Sequence, residues 1–323
     1  MMEEKRIVYV DSLRGMACLF VVVSHIISVS KYGIYVSGCG KIGVWLFMIL
    51  SSFLMIYPYE ICRNKKFNIC MFYYKRILRI YPCYLVALLL AYECGFITTG
   101  KSFIRHIFIL EGWGHFWYIP VIVKFYMIFP VFVYIRKNIK RDFWYLTVVG
   151  GISIGFSCLF PYNHYIENSI SIGWYMPVFG MGLCLATIVR KLEKNQCNYR
   201  LADIGLVFCL SVVFLLTPFM KKLIWRIEPS AWLQNKYLLL GLLWCMVIVL
   251  IEIGAKGKQI LNKCSILIKI GSISYPMYLI HYIILLKIVC YTNKFWIISI
   301  FTFVISFILS EMIHYFIEER ITK

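Results

Sequence analysis

Residues 7–30 read Ile7-Val-Tyr-Val-Asp11-Ser-Leu-Arg14-Gly-Met-Ala-Cys-Leu-Phe-Val-Val-Val-Ser-His25-Ile-Ile-Ser-Val-Ser30. The run has the length of a membrane-spanning helix, which needs about 20 residues to cross about 30 Å of hydrocarbon. It also carries Asp11, Arg14 and His25. A charged group at the centre of a span costs about 3 kcal/mol on insertion scales, so ionisable residues there mark function by default. Asp11 and Arg14 are three residues apart and can pair on one helix face, which lowers the cost of both. Arg14 and His25 are eleven residues apart, about three turns, with about 16 Å of rise between them. One face therefore offers a cation near one boundary and an imidazole around mid-membrane.

The rest of the chain has the same character. Of 323 residues, 61% are hydrophobic and 15% charged, against about 25% charged in soluble domains. Mean hydropathy is +0.78. Apolar segments lie at 7–30, 41–59, 80–97, 116–135, 143–160, 169–189, 202–220, 237–254, 270–290 and 295–317. The expected fold is an all-α polytopic bundle of about ten transmembrane helices, forming one membrane-embedded domain over 1–323 with no appended soluble domain. The first run keeps Arg14 and lacks a cleavage site, so it reads as a helix rather than a signal peptide.

The formal charge is +19, from 34 Lys and Arg against 15 Asp and Glu. In a membrane protein, basic residues gather on the cytoplasmic side. With both termini inside, more than twice as many of them fall inside as outside. The stretch 221–236, with Lys221, Lys222, Arg226 and Lys236, is the exception. The charge is thus a topology signal and implies no nucleic-acid partner. Thirteen cysteines lack CxxC spacing, and neither a zinc site nor a disulfide framework follows. Ser102 to Leu110 reads as a short interfacial helix.

Three short patterns lack the context their chemistry needs. Gly38 to Gly43 spells GxGxxG but follows no strand. Gly151 to Gly155 spells GxSxG, and reads better as a GxxxG packing face between membrane helices. Glu311 and His314 form a single ExxH, for which ordinary interhelical hydrogen bonding is expected.

The opening stretch, Asp11-x-Leu-Arg14-Gly-x-Ala with a His eleven residues after the Arg, resembles the first motif of the integral-membrane acyltransferase family 3. Further pieces resemble that family in order: Gly43-Val-Trp-Leu-Phe-Met-Ile-Leu-Ser51-Ser-Phe53, with Ser52 where Gly is usual; Arg76-x-x-Arg79 before Pro82; His115-Phe-Trp117 followed by Phe125-Tyr126 and Pro130; Ser274-x-x-x-Tyr278-Leu-x-His281; and Glu319-Arg320. Many members carry a Glu between the Trp and the Phe-Tyr pair; here Ile122, Val123 and Lys124 stand there, as in the branch without it.

The resemblance implies a membrane-bound O-acyltransferase. It would move an acyl group, acetyl above all, from a cytoplasmic acyl-CoA co-substrate to a hydroxyl of a surface or lipid-linked carbohydrate, with no permanently bound cofactor and no metal. His25 would be a general base or a transient acyl acceptor, with Arg14 beside it and Asp11 orienting Arg14. Arg14, Arg76 and Arg79 would bind the phosphates of the donor, a task to which guanidinium is suited. Trp117, Tyr126, Tyr278 and His281 would line the acceptor path. Trp113 reads as part of an aromatic belt, His115 and Glu111 as solvated outer-loop residues, Lys124 as facing protein or a wet cavity, and Lys287 as snorkelling outward. Heavy use of Ile, Lys, Tyr and Phe points to an AT-rich bacterial genome and to nothing further, and the resemblance implies a multi-pass protein of the bacterial cytoplasmic (inner) membrane. Two other classes compete: a transporter or flippase of a lipid-linked glycan, and a membrane sensor or scaffold.

Overall fold

The computed structural model describes residues 7–30, 33, 39–62, 65–160, 169–195, 199–217, 220, 223, 229–254 and 256–322, and among these all regular structure is helical. Helix α1 is Val8–Ser28, α2 Gly40–Ile61, α3 Ile69–Glu93 and the short α4 Gly100–Ile107. A 3-10 turn, Gly114–Trp117, leads into α5, Tyr118–Asn138. Then follow α6 Asp142–Leu159, α7 Ile172–Asn195, α8 Arg200–Leu215, α9 Pro229–Ile253, α10 Gly257–Lys263, α11 Ser265–Ser272, α12 Ser274–Val289 and α13 Phe295–Ile313. A π turn, His314–Glu318, extends α13. Local signals start two of these helices: Asn68 accepts from Met71 N at 3.0 Å and Thr99 from Ser102 N at 3.2 Å, satisfying donors that lack an intrahelical partner.

Each of the ten apolar segments coincides with a helix or a bent helix pair, but among the described residues fewer than ten are long and apolar enough to count as spans. Among the described residues, six helices are long and apolar enough to cross a membrane, or up to eight if each bent pair is one span. The bent pairs are α9–α10, at 91° from Leu238, and α11–α12, at 78°. The reasons for the shortfall are local. Lys75, Arg76 and Arg79 occupy the first half of α3, and α8 has 16 residues, or about 24 Å of rise. The interfacial helix expected from 102 to 110 is α4, one turn shorter at its end.

Helix α2 is the centre of the bundle, packing most extensively on α7 and on α1. Ser52 is fully buried there, and a Cβ at Gly182 of α7 would lie 2.2 Å from Ile49 O. The glycine that the family usually has on α2 is thus matched by one on the facing helix. A Cβ at Gly43 would meet Ala17 O at 2.4 Å, so this glycine serves helix packing; Gly38 lies outside the described residues. By contrast, Cβ atoms at Gly151 and Gly155 would meet nothing within 4 Å. The GxxxG face expected on α6 therefore packs against no described helix. The opposite face of α6, with Tyr145, Val149 and Ser153, is the buried one, and Gly180 of α7 is where Ser153 approaches. Glu311 bridges to Lys269 at 2.5 Å, and His314 Nδ1 lies 2.7 Å from Glu318, in keeping with ordinary bonding for the ExxH. No disulfide links the described cysteines.

A buried ion cluster ties α2, α5, α6 and α7 together. Arg136, fully buried, lies 2.5 Å from Glu60 Oε1 and donates to Asp142 Oδ1 at 2.6 Å. Thr187 donates to Glu60 at 2.7 Å, and Arg190 lies 3.5 Å from it. Such a cluster holds only while every charge keeps its partners. Lys5, Arg6, Lys31, Arg63, Lys221, Lys222, Arg226 and Lys323, used in the charge reading, lie outside the described residues.

Candidate active site

The site is built where α1 crosses the bent pair α11–α12. Two glycines permit the crossing. A Cβ at Gly15 would sit 2.1 Å from Leu267 O, and one at Gly271 would sit 1.9 Å from Asp11 O. No other residue type tolerates backbones this close. Ser12 donates to Leu261 O at 2.6 Å and reinforces the contact. The bend after Ser272 starts α12 beside Arg14. Arg14 Nη2 donates to Ser274 Oγ at 3.1 Å, and Ser274 donates to Gly271 O at 2.8 Å. Asp11 lies 3.8 Å from Arg14 Nη1, the pairing expected from their spacing.

Arg14, Arg76 and Arg79 line one cavity of 330 Å³, together with Asp11 and Ser51. Its other walls include Tyr118, Tyr126, Ser274, Tyr275 and Tyr278. Arg76 lies 5.4 Å from the ring of Phe72 and 5.5 Å from that of Tyr126. Arg79 lines the same cavity with no ion-pair or hydrogen-bond partner among the described residues. Three guanidinium groups and several phenols make a lining suited to a polyanion with an apolar or aromatic body.

His25 follows on the same helix. Because α1 ends at Ser28, His25 lies in its last turn, nearer the helix end than mid-span. Ser28 and Ser30 donate back to His25 O and Ile27 O at 2.6 and 2.7 Å, closing the helix there. Its ring is half-buried and its Nδ1 lies 2.8 Å from Nε2 of the fully buried His281. Thus α1 meets α12 twice, through Arg14 at Ser274 and through His25 at His281.

The four residues expected to bind an acceptor are not gathered in one place. Tyr126 and Tyr278 face the arginine-lined cavity, and Tyr278 donates to the backbone oxygen of His115. His281 is paired with His25. Trp117 stacks on Tyr175 at 5.3 Å and does not line that cavity.

His115 is the residue the sequence reading misplaced. It is 4% exposed rather than solvated, and its Nε2 donates to Leu279 O at 2.7 Å. Its ring centroid lies 5.3 Å from that of His281. The 3-10 turn tucks it against α12, beginning at Gly114 with φ 51°. The surrounding aromatics read as an interfacial belt in sequence, and only the turn shows that the ring points inward. The loop before it is anchored. Ser102 donates to Glu111 at 2.9 Å, Arg105 pairs with Glu111, and Trp113 N donates to His106 Nε2 at 2.9 Å. The Ser102 hydroxyl, and after it the Arg105 guanidinium, hold the Glu111 carboxyl below its ordinary pKa. Trp113 stacks on Phe96 at 5.5 Å. Lys124 faces protein: its Nζ donates to Ile170 O at 2.9 Å, just before α7. Lys287 is exposed.

The profile of an acyltransferase domain, that of acyltransferase family 3, matches residues 7–315. The chain belongs to this family. With its apolar helices, that makes it a multi-pass membrane protein, and favours group transfer over transport. It is similar to a putative acetyltransferase, ORF330, of Acidianus two-tailed virus, at 25% identity over 289 residues, covering 84% of this chain and 81% of that one. It is also similar to the O-acetyltransferase OatA of Staphylococcus aureus, at 22% identity over 359 residues. That match covers 97% of this chain but 57% of OatA, so the chain spans little more than half of that relative. No solved structure matches the chain.

Proposed function

We propose that this chain is a membrane O-acetyltransferase that takes acetyl from acetyl-CoA on the cytoplasmic side and passes it to a carbohydrate hydroxyl of the cell envelope. The observation that carries this reading is the double contact of α1 with α12. It sets a cavity lined by Arg14, Arg76 and Arg79 at one level and the His25–His281 pair further along the same two helices. The arginines face the cytoplasm, as the distribution of basic residues favours, and hold the phosphates of the donor. Its thioester arm reaches along the cavity toward Tyr278.

His25 is the general base. It takes the proton of the acceptor hydroxyl as that oxygen forms a C–O bond to the acetyl carbon. The C–S bond breaks, and the departing thiolate takes the proton back from the imidazolium. An imidazole suits this role near neutral pH. Asp11 holds Arg14, and the chain sits in a bacterial cytoplasmic membrane with both termini inside.

The test is mass spectrometry of envelope glycan from a deletion strain, before and after mild alkali. Loss of an alkali-labile mass of one acetyl group, restored by the wild-type gene, is expected. Unaltered ester content with less glycan at the surface would overturn the proposal.

A further inference from the structure

We propose that His281 is a positioning residue that fixes the tautomer of His25, so that His25 presents an unprotonated Nε2 to the acceptor hydroxyl. This rests on the reading of His25 as the base. The chain of bonds runs from the backbone outward. His281 Nδ1 lies 3.0 Å from Met277 O. A carbonyl oxygen only accepts, so this nitrogen carries the proton. In the neutral ring, Nε2 of His281 is then an acceptor. The 2.8 Å contact from His25 Nδ1 makes that nitrogen of His25 the donor. The proton of His25 is thereby held on Nδ1, and its Nε2 keeps the lone pair. Which ring nitrogen of a histidine is protonated is set by the bond the other one makes.

Ring geometry supports an in-plane bond rather than a face-on stack. The two planes are 5° apart and the centroids 5.1 Å apart, the separation that edge-to-edge N–H···N bonding gives. His281 cannot turn away. It is fully buried, and the His115 ring stands against it at 5.3 Å and at 66°. Its remaining partner is the turn of α12 that carries it. The half-buried His25, by contrast, has its Nε2 beside Gly40, whose added Cβ would lie 3.7 Å away. Glycine there leaves the lone pair approachable. No hydrogen-bond partner of His25 Nε2 occurs among the described residues. His281 thus acts through His25 and does not touch the acceptor, unlike the role the sequence alone suggested for it.

The experiment compares His281→Leu and His281→Gln in proteoliposomes supplied with acetyl-CoA. It is paired with solid-state 15N NMR of the wild-type histidines at neutral pH. The Gln amide oxygen can accept from His25 Nδ1; Leu cannot. We expect Leu to lower kcat by roughly 10²-fold or more, the scale of general-base assistance, with KM for acetyl-CoA unchanged. Gln recovers most of the loss, and in wild type His25 carries its proton on Nδ1. A His281→Leu protein with wild-type kcat, a Gln variant no better than Leu, or a wild-type His25 protonated on Nε2 overturns the proposal. Failure of the underlying reading shows separately, as full activity of His25→Ala.

Discussion

Nδ1 of His25 lies 2.8 Å from Nε2 of His281, with the two imidazole planes 5° apart. The residues come from helices far apart in sequence, and Arg14 and Ser274 repeat the contact nearer the start of both. Two contacts of this kind fix the rotation of α1 as well as its position. Arg14 and His25 therefore cannot leave a common face without breaking hydrogen bonds at both levels.

The arginine cavity makes a separable prediction. A charge-assisted hydrogen bond contributes about 1.5–3 kcal/mol, or roughly ten- to a hundredfold in affinity. Arg79→Gln should raise KM for acetyl-CoA on that scale while leaving kcat near wild type. Steady-state kinetics in proteoliposomes check this, and an unchanged KM would remove Arg79 from the donor site.

The glycine crossing makes another. At Gly271 an added Cβ would lie 1.9 Å from the backbone oxygen of Asp11, and backbone cannot rotate away. Gly271→Val should push α11 off α1, cost about 1–3 kcal/mol as overpacking does, and carry Ser274 away from Arg14. Thermal unfolding in detergent should show the loss, and Gly151→Val on the open face of α6 should show none.

Access to His25 can be tested at Gly40. A side chain there crowds Ser24 Oγ, 2.7 Å from the added Cβ, and stands beside His25 Nε2. Gly40→Val should lower kcat/KM for the acceptor with KM for acetyl-CoA retained. Competition kinetics against a series of acceptor lengths would measure it.

The Glu60–Arg136 pair is structural. Arg136→Met strips the buried Glu60 of its closest cation and leaves it only Thr187 and the more distant Arg190; breaking a buried pair in this way costs up to about 3–5 kcal/mol. The double variant with Glu60→Gln should recover much of that. A double-mutant cycle on unfolding checks the coupling.

Glu111 carries a pH dependence. Its lowered pKa in the folded state means its bonds stabilise the 100–113 segment above the ordinary carboxylate range, and that stabilisation is lost as pH falls through the folded value. Protection factors for hydrogen exchange in α4, taken against the intrinsic rate at each pH, should hold from neutral pH down to that range and fall below it. Glu111→Gln should show faster exchange already at neutral pH.

What could be read in sequence followed from local rules. Apolar run length gave the positions of the helices, three-residue spacing gave the Asp11–Arg14 pair, and eleven-residue spacing put Arg14 and His25 on one face. What could not be read depended on elements distant in the chain. The burial of His115 depends on a 3-10 turn meeting α12, and the Glu60–Arg136 cluster on four helices meeting at one point. The bend after Ser272 is hidden inside one continuous apolar run. The GxxxG of α6 shows the same limit from the other side, since small residues permit close packing without selecting the face that packs.

The most direct measurement of the central claim is transfer from radiolabelled acetyl-CoA to envelope glycan in proteoliposomes, wild type against His25→Ala, with insertion of both proteins verified. Labelled, alkali-labile glycan from wild type and none above background from His25→Ala is the predicted result. Equal labelling by a correctly inserted His25→Ala protein would contradict it.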